Sequence, residues 1–180
     1  GGQVGDKGVI RAPGGEAEVL DTTKLNGVFL HHVRVTDGSL KTGDPLALIV
    51  NSFERRNTAN NHSATHLMHA ALRTVLGQHV QQAGSLVEAD RLRFDFTHNQ
   101  PLTPTEIDEI EALVNTEISK GIQVHSEVMS HQAALDRGAL ALFGEKYGSD
   151  VRVIQMGEFS MELCGGVHVA NTAQIRFFKI

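Results

Sequence analysis

Cysteine is nearly absent from this sequence, which has one in 180 residues. No internal disulfide can form, so a small disulfide-stabilised domain is excluded and a reducing compartment, most simply the cytoplasm, is expected. Long apolar runs are also missing: the longest, Leu46 to Val50, is far shorter than the roughly 20 residues that span a bilayer. No charged start followed by an apolar stretch is present. We therefore expect neither a secretory signal nor contact with a membrane.

Positive charge is scarce as well. Asp and Glu number 21 against 16 Lys and Arg, which gives a net charge of -5 and a pI of about 6.0. A domain whose main task is binding nucleic acid is usually basic, so RNA contact would have to be local or supported by another part of a longer protein. What the chain does have is 41% hydrophobic residues, enough for a core and against disorder, and ten histidines.

Residues 1–57 form the first of two predicted regions. They are rich in glycine and in short apolar alternations, which favour strands, with turn signals at Asp37-Gly38 and Lys41 to Pro45. We predict a small N-terminal antiparallel β-barrel without a catalytic cluster. Its predicted strands are Val9-Ile10, Ala17 to Leu20, Val28 to Val35 and Leu46 to Val50.

Residues 58–180 form the second region, an α/β sandwich in which a mainly antiparallel sheet packs against one or two long helices; the fold class is α+β. Apolar residues recur at helical spacing from Ala64 to Leu76, after a cap at Asn60 or Asn61. A second helix opens with a capping box at Thr103 to Glu106. The other predicted elements are a hairpin over Leu86 to Thr97, a short helix capped by Ser130, and strands at Ile122 to Met129, Val151 to Met156, Phe159 to Leu163 and Ile175 to Ile180.

The first chemical motif is His62-Ser63-Ala64-Thr65-His66. Four residues are about one helical turn, so both imidazoles project from one face and could share a metal ion. His69 lies on the same face. Spacing alone therefore leaves open which two of the three histidines would bind.

The second motif is Cys164-Gly165-Gly166-Val167-His168, which places a thiolate and an imidazole on a glycine turn. The glycines allow the backbone to approach a ligand closely. Together the two motifs supply three histidines and a cysteine, enough to close a tetrahedral zinc site. Four protein ligands are the pattern of structural zinc, so catalysis would need one ligand to step aside or a fifth position to open.

These motifs resemble the editing domain of bacterial alanyl-tRNA synthetases. The resemblance rests on the segments 61–72 and 162–168, with further matches at 1–6, 92–96 and 141–147, and it covers essentially the whole chain. Free-standing trans-editing proteins and the editing domain of threonyl-tRNA synthetases are similar in the same motifs. The resemblance implies a fragment of a longer synthetase, as do the start without methionine and the apolar end. The aminoacylation domain, which uses ATP and Mg²⁺, would lie upstream.

The resemblance implies a function, which is hydrolysis of tRNA(Ala) mischarged with serine or glycine. A small synthetic pocket cannot exclude glycine by size and rejects the serine hydroxyl poorly, so a second site must clear the errors. The implied zinc ligands are His62, His66, Cys164 and His168. The implied editing-pocket residues are Thr65 and Gln82, and the implied substrate-binding residues are Gly165, Gly166 and Val167, whose glycine backbone could donate to a developing oxyanion. No general base is assigned, although Asp95 and His69 are candidates.

Val167 departs from the family, which usually has threonine at this position. If that hydroxyl serves the pocket, discrimination of serine is altered here; if the position only packs, nothing changes. Two other functions stay open. A metal-dependent peptidase or amidase would want glutamate where Ser63 stands, and a structural zinc module would bind RNA without hydrolysis.

Overall fold

The computed structural model describes residues 2–141 and 147–180. Gly1 and most of the predicted family match at 141–147 lie outside the described residues. The first four strands form one antiparallel sheet with the order β3-β2-β1-β4. These strands are β1 (Gly8–Ala12), β2 (Gly15–Leu25), β3 (Val28–Gly38) and β4 (Ala47–Val50).

The four strands predicted for the N-terminal region are confirmed, but the predicted barrel is wrong. Closure requires the two edge strands to pair with each other, and among the described residues β3 pairs only with β2 while β4 pairs only with β1. Strand β3 has eleven residues and β4 has four. Most of the outer edge of β3 is therefore without a partner strand. The sheet is therefore open, with a small core at Ile10, Ala17 and Val19.

Helix α1 (Ser52–Leu76) is the longest element and carries the first histidine motif. It begins at the N-cap Asn51, whose side chain accepts from the N–H groups of Phe53 and Glu54. The predicted start at Asn60 or Asn61 is wrong because residues 52–60 are mostly polar and show no apolar repeat. The helix crosses residue 57 without a break, and the division of the chain at that point stays a prediction.

The remaining elements follow helix α1 in the chain. They are the hairpin β5 (Gln82–Val87) and β6 (Leu92–Phe96), helix α2 (Pro104–Ser119), the sheet of β7 (Val124–Ser130), β8 (Asp150–Met156) and β9 (Ser160–Leu163), helix α3 (His131–Asp136) and a 3₁₀ helix at Thr172–Ile175. The capping box at Thr103 and Glu106 is confirmed. The main core lies between α1 and α2 and includes Leu67, Ala71, Leu72, Ile110, Val114 and Ile118.

The predicted last strand, Ile175 to Ile180, is wrong. Asn171 caps the 3₁₀ helix instead. The backbone of Phe178 donates to and accepts from the side-chain amide of Asn115 on α2, at 2.9 Å in both directions. A side chain thus satisfies the backbone groups that a neighbouring strand would have paired. Among the described residues, no helix is both long and apolar enough to cross a membrane.

Candidate metal centre

The two motifs meet at the buried face of α1. His62 and His66 lie one turn apart there, 8% and 6% exposed. Strand β9 ends at Leu163, and the turn that follows brings Cys164 and His168 against them. The Cys164 Sγ lies 3.4 Å from His62 Nε2 and 3.2 Å from His168 Nε2. One donor atom from each of the four side chains falls within 4.8 Å of the other three.

Each imidazole of the group has a polar side chain within hydrogen-bond distance of its Nδ1. His62 Nδ1 lies 2.7 Å from Gln3 Oε1, and His66 Nδ1 lies 2.6 Å from a carboxylate oxygen of Glu162. His168 Nδ1 lies 3.2 Å from the hydroxyl of Ser63 on α1. Hydrogen bonds at the outer nitrogen are how proteins orient metal-binding histidines.

The donor set fits zinc. Zinc prefers four ligands in a tetrahedral arrangement, with nitrogen and thiolate sulfur as the donor atoms. His66 Nε2 is buried and has no hydrogen-bond partner among the described residues, which is costly unless something else fills that position. A metal ion at the shared point would satisfy this nitrogen.

The Gln3 amide determines the tautomer of His62. Its Oε1 accepts the backbone N–H of Val167 at 2.8 Å, and a backbone N–H can only donate. The atom facing His62 is therefore an acceptor, so His62 carries its proton on Nδ1 and turns the lone pair of Nε2 toward Cys164. One side chain thus joins the start of the chain, α1 and the glycine turn.

Glu162 on β9 bridges two histidines of α1. Its second oxygen lies 2.8 Å from His69 Nδ1, and the His69 ring lies 5.2 Å from that of Phe94. Spacing left open which histidines of α1 would join the metal group, and the structure places His62 and His66 there with His69 outside. The carboxylate is 3% exposed, so both bonds form in a medium where charge-assisted bonds are strong.

The charges of the centre depend on one another. Burial would raise the pKa of the Cys164 thiol, but the surrounding imidazoles, chiefly His168 as a hydrogen-bond donor and His66 through its positive charge, lower that pKa to about 3. Burial would also raise the pKa of Glu162, yet His66 and His69 lower it to about 2.

The histidines respond in opposite directions. Burial lowers the pKa of His168 to about 4. Burial would likewise lower the pKa of His66, but the carboxylate of Glu162 and the sulfur of Cys164 raise it to about 10. The centre therefore combines a thiolate with a proton on His66, and a divalent cation would displace that proton on binding.

A cleft of about 480 Å³ opens beside the donor set. Thr65 and Gln82 line it, as does Ser85. The Thr65 hydroxyl donates to the carbonyl of Asn61 at 2.8 Å, and Gln82 Nε2 donates to the Ser85 hydroxyl at 3.2 Å. The cleft thus carries polar groups that can receive a small polar side chain beside a metal ion.

Asp95 is not brought to this cleft. It lies on the outer face of β6, where its carboxylate pairs with Arg93 at 3.1 Å. The side chains of Leu92, Phe94 and Phe96 alternate with it along the strand and pack against the main core.

The glycine turn lines the cleft, but two of its backbone donors are occupied. The Gly166 N–H donates to Cys164 Sγ at 3.4 Å and the Val167 N–H donates to Gln3. Among the described residues, the Gly165 N–H has no such partner. The Val167 side chain packs against the main core and is not among the residues that line the cleft.

Sequence reasoning missed the residues that support the donor set. Gln3, Ser63 and Glu162 reach histidines that lie 59, 105 and 96 positions away in the chain. No local spacing indicates such partners. Glu162 stands two residues before Cys164, and a buried carboxylate beside a metal motif was the one available signal.

The chain is similar in sequence to known proteins. Residues 151–180 match the family model described as the threonyl and alanyl tRNA synthetase second additional domain. Alanine–tRNA ligase from Bdellovibrio bacteriovorus is 59% identical over 180 residues, which are 100% of this chain and 20% of that protein. The chain matches alanine–tRNA ligases over its whole length. The resemblance predicted from the two motifs is thereby confirmed.

Other alanine–tRNA ligases show a comparable sequence identity to this chain. The enzyme from Xanthomonas axonopodis pv. citri is 56% identical over 183 residues, and the one from Staphylococcus aureus is 55% identical over 181 residues; both alignments include the whole of this chain. The chain spans about one fifth of the length of these relatives.

Proposed function

We propose that this chain hydrolyses the ester bond of tRNA(Ala) that carries serine or glycine. The observation that supports this proposal best is the donor set of His62, His66, Cys164 and His168, of which the first three line a cleft. Similarity to alanine–tRNA ligases supports tRNA as the class of RNA. The lone cysteine, which is free, suits the cytoplasm, where protein synthesis takes place.

The residues of the cleft have distinct tasks in this reaction. Zinc, when bound, supplies Lewis-acid polarisation of a carbonyl or a water. Gln82 and Thr65 orient the amino acid and favour a side chain that can hydrogen-bond, such as that of serine. We assign donation to the developing oxyanion to the N–H of Gly165, which has no partner among the described residues. Water attacks the ester carbonyl while the ribose hydroxyl leaves.

Discrimination against alanine follows from polarity rather than size. The pocket must spare correct Ala-tRNA, and a methyl group gains little beside polar groups that prefer a hydroxyl. Because the Val167 side chain packs against the core, we assign it a packing role. A Val167→Thr variant should therefore keep the same ratio of serine to alanine hydrolysis.

The test is hydrolysis of Ser-tRNA(Ala) by the chain and by a Cys164→Ala/His168→Ala variant, with zinc measured in both. We expect turnover and zinc in the parent and neither in the variant, with the fold of the variant checked by circular dichroism. Turnover that persists in the folded, zinc-free variant would contradict the proposal.

A structural zinc module that binds RNA is the second candidate. It is favoured by one observation, namely that four protein atoms already surround the shared point, which is the pattern of structural sites. A folded, zinc-loaded parent that binds but never hydrolyses a minimal aminoacylated acceptor stem would support this candidate and contradict the first.

A further inference from the structure

Three arginines without a carboxylate partner line one groove beside the metal centre. Among the described residues, six of the ten arginines pair with Asp or Glu, and Arg73 donates to backbone carbonyls. The other three are Arg56, Arg152 and Arg176, and all of them line a groove of about 1160 Å³. Such clustering is notable because acidic residues outnumber basic ones in this chain.

The groove has a positive lining. No Asp or Glu is among the described residues that form it. Arg55 also lines it, but its guanidinium is paired with Asp6. Arg152 donates to the Ser126 hydroxyl and to the Gly166 carbonyl, bonds that hold its charge in place without neutralising it. A fixed cation that lacks a carboxylate partner is available to an anionic ligand.

The groove and the cleft share a wall. Arg152, Gly165 and Gly166 line both. A polyanion that lies in the groove therefore reaches the metal centre at one end. The contact with Gly166 also ties Arg152 to the same turn that supplies Cys164 and His168.

An exposed aromatic ring completes the groove. Phe53 lines it and is 62% exposed, and the Arg56 guanidinium lies 5.7 Å from the centre of that ring. Proteins that bind single-stranded nucleic acid combine a positive groove for the backbone with aromatic rings on which bases stack. A flat cation beside an aromatic face offers both contacts.

We propose that this arginine groove, defined by Arg56, Arg152, Arg176 and Phe53, binds the single-stranded 3′ end of an RNA. Phosphates lie on the three arginines and one base stacks on Phe53, so that the terminal ester reaches the metal centre. The assignment of that ester rests on the proposed function, whereas the phosphate contacts rest on the groove alone. Local binding of this kind reconciles an RNA partner with an acidic chain.

The test is the affinity of the zinc-loaded chain for a fluorescein-labelled, uncharged single-stranded RNA, measured by fluorescence anisotropy across a salt series. Each lost phosphate contact lowers the slope of log K against log salt by about 0.7, which at about 0.1 M salt is roughly a fivefold loss of affinity. We expect Arg56→Gln/Arg176→Gln to lose about 25-fold and about 1.4 in slope. Phe53→Leu should lower the affinity for the RNA about fivefold or more.

Arg34→Gln is the matched control, because Arg34 is an exposed arginine that pairs with Glu18 on the first sheet. It removes the same charge and should leave affinity and slope unchanged. Any of four results would contradict the proposal that the groove binds RNA. The double variant could match the parent in affinity and slope, or the control could show an equal loss. The parent could fail to bind, or it could bind duplex RNA only.

Hydrolysis separates the two proposals. On an aminoacylated acceptor stem, the double variant should raise KM without changing kcat. On the seryl ester of adenosine, which has no phosphate, it should match the parent. A parent that binds RNA through the groove but hydrolyses neither ester would refute the proposed function and leave the groove standing.

Discussion

Replacing Glu162 with glutamine should destabilise the metal-free protein and weaken the zinc binding that we propose for it. The carboxylate is 3% exposed and accepts from both His66 and His69. An amide has one oxygen to accept with and an NH₂ group on the other side. Glutamine can therefore accept from only one of the two imidazole N–H groups, and the other histidine must change its tautomer or lose this hydrogen bond.

The magnitude follows from the pKa of Glu162, which the fold lowers from 4.5 to about 2. A shift of this size means that ionised Glu162 stabilises the folded protein by about 3 kcal/mol more than protonated Glu162 does. Two charge-assisted hydrogen bonds account for a similar free energy. We expect Glu162→Gln to lose about 2 kcal/mol at pH 7, because one bond of the two survives.

The first assay is urea denaturation of parent and variant without metal. Because the pKa of Glu162 is lowered and that of its partner His66 is raised in the folded state, the advantage of the parent is complete between about pH 4.5 and 6.5. It declines as the pH falls toward 2, where Glu162 is protonated, and as the pH rises toward 10, where His66 loses its proton. Glu158→Gln is the control, since Glu158 is an exposed glutamate in the turn before β9. Equal free energies of unfolding for Glu162→Gln and the parent at pH 7 would refute the reasoning.

The second assay is zinc affinity by competition with a chromophoric chelator. Loss of an outer partner of a metal-binding histidine typically costs about 10- to 100-fold in affinity, and Glu162 holds His66 at Nδ1. An unchanged zinc affinity in Glu162→Gln would show that the carboxylate does not orient His66.

Two further results are expected at the glycine turn and at the thiol. Gly166→Ala should reduce zinc affinity while Gly165→Ala does not, because a Cβ at 166 would lie 2.2 Å from His62 Cε1 and a Cβ at 165 would meet nothing within 4 Å; equal zinc titrations of the two variants would contradict this. In the metal-free protein, alkylation of Cys164 should be nearly independent of pH between 5 and 8, since its pKa is lowered to about 3. A rate that rises tenfold per pH unit would show an ordinary thiol.

Local patterns in the sequence were enough for much of the fold. The capping box at Thr103 and the alternation along β6 depend on neighbours within a few residues, so propensity and period report them. Where local signals compete with distant partners they fail. The end of the chain looks like a strand, yet Asn115 on α2 takes the backbone bonds of Phe178.

The donor types of the centre can be predicted from the sequence, because the two motifs supply imidazoles, one thiol and the glycine turn that carries the thiol. Motif spacing leaves open which histidines of α1 join the group and what orients them, and these follow from tertiary packing. Glu162 contacts both His66 and His69, and of these two only His66 has a nitrogen at the shared point. His62 is oriented by Gln3 from the far end of the chain. Hydrogen bonds between residues 59 to 105 positions apart leave no periodic trace, since they depend on how the helix and the sheets pack.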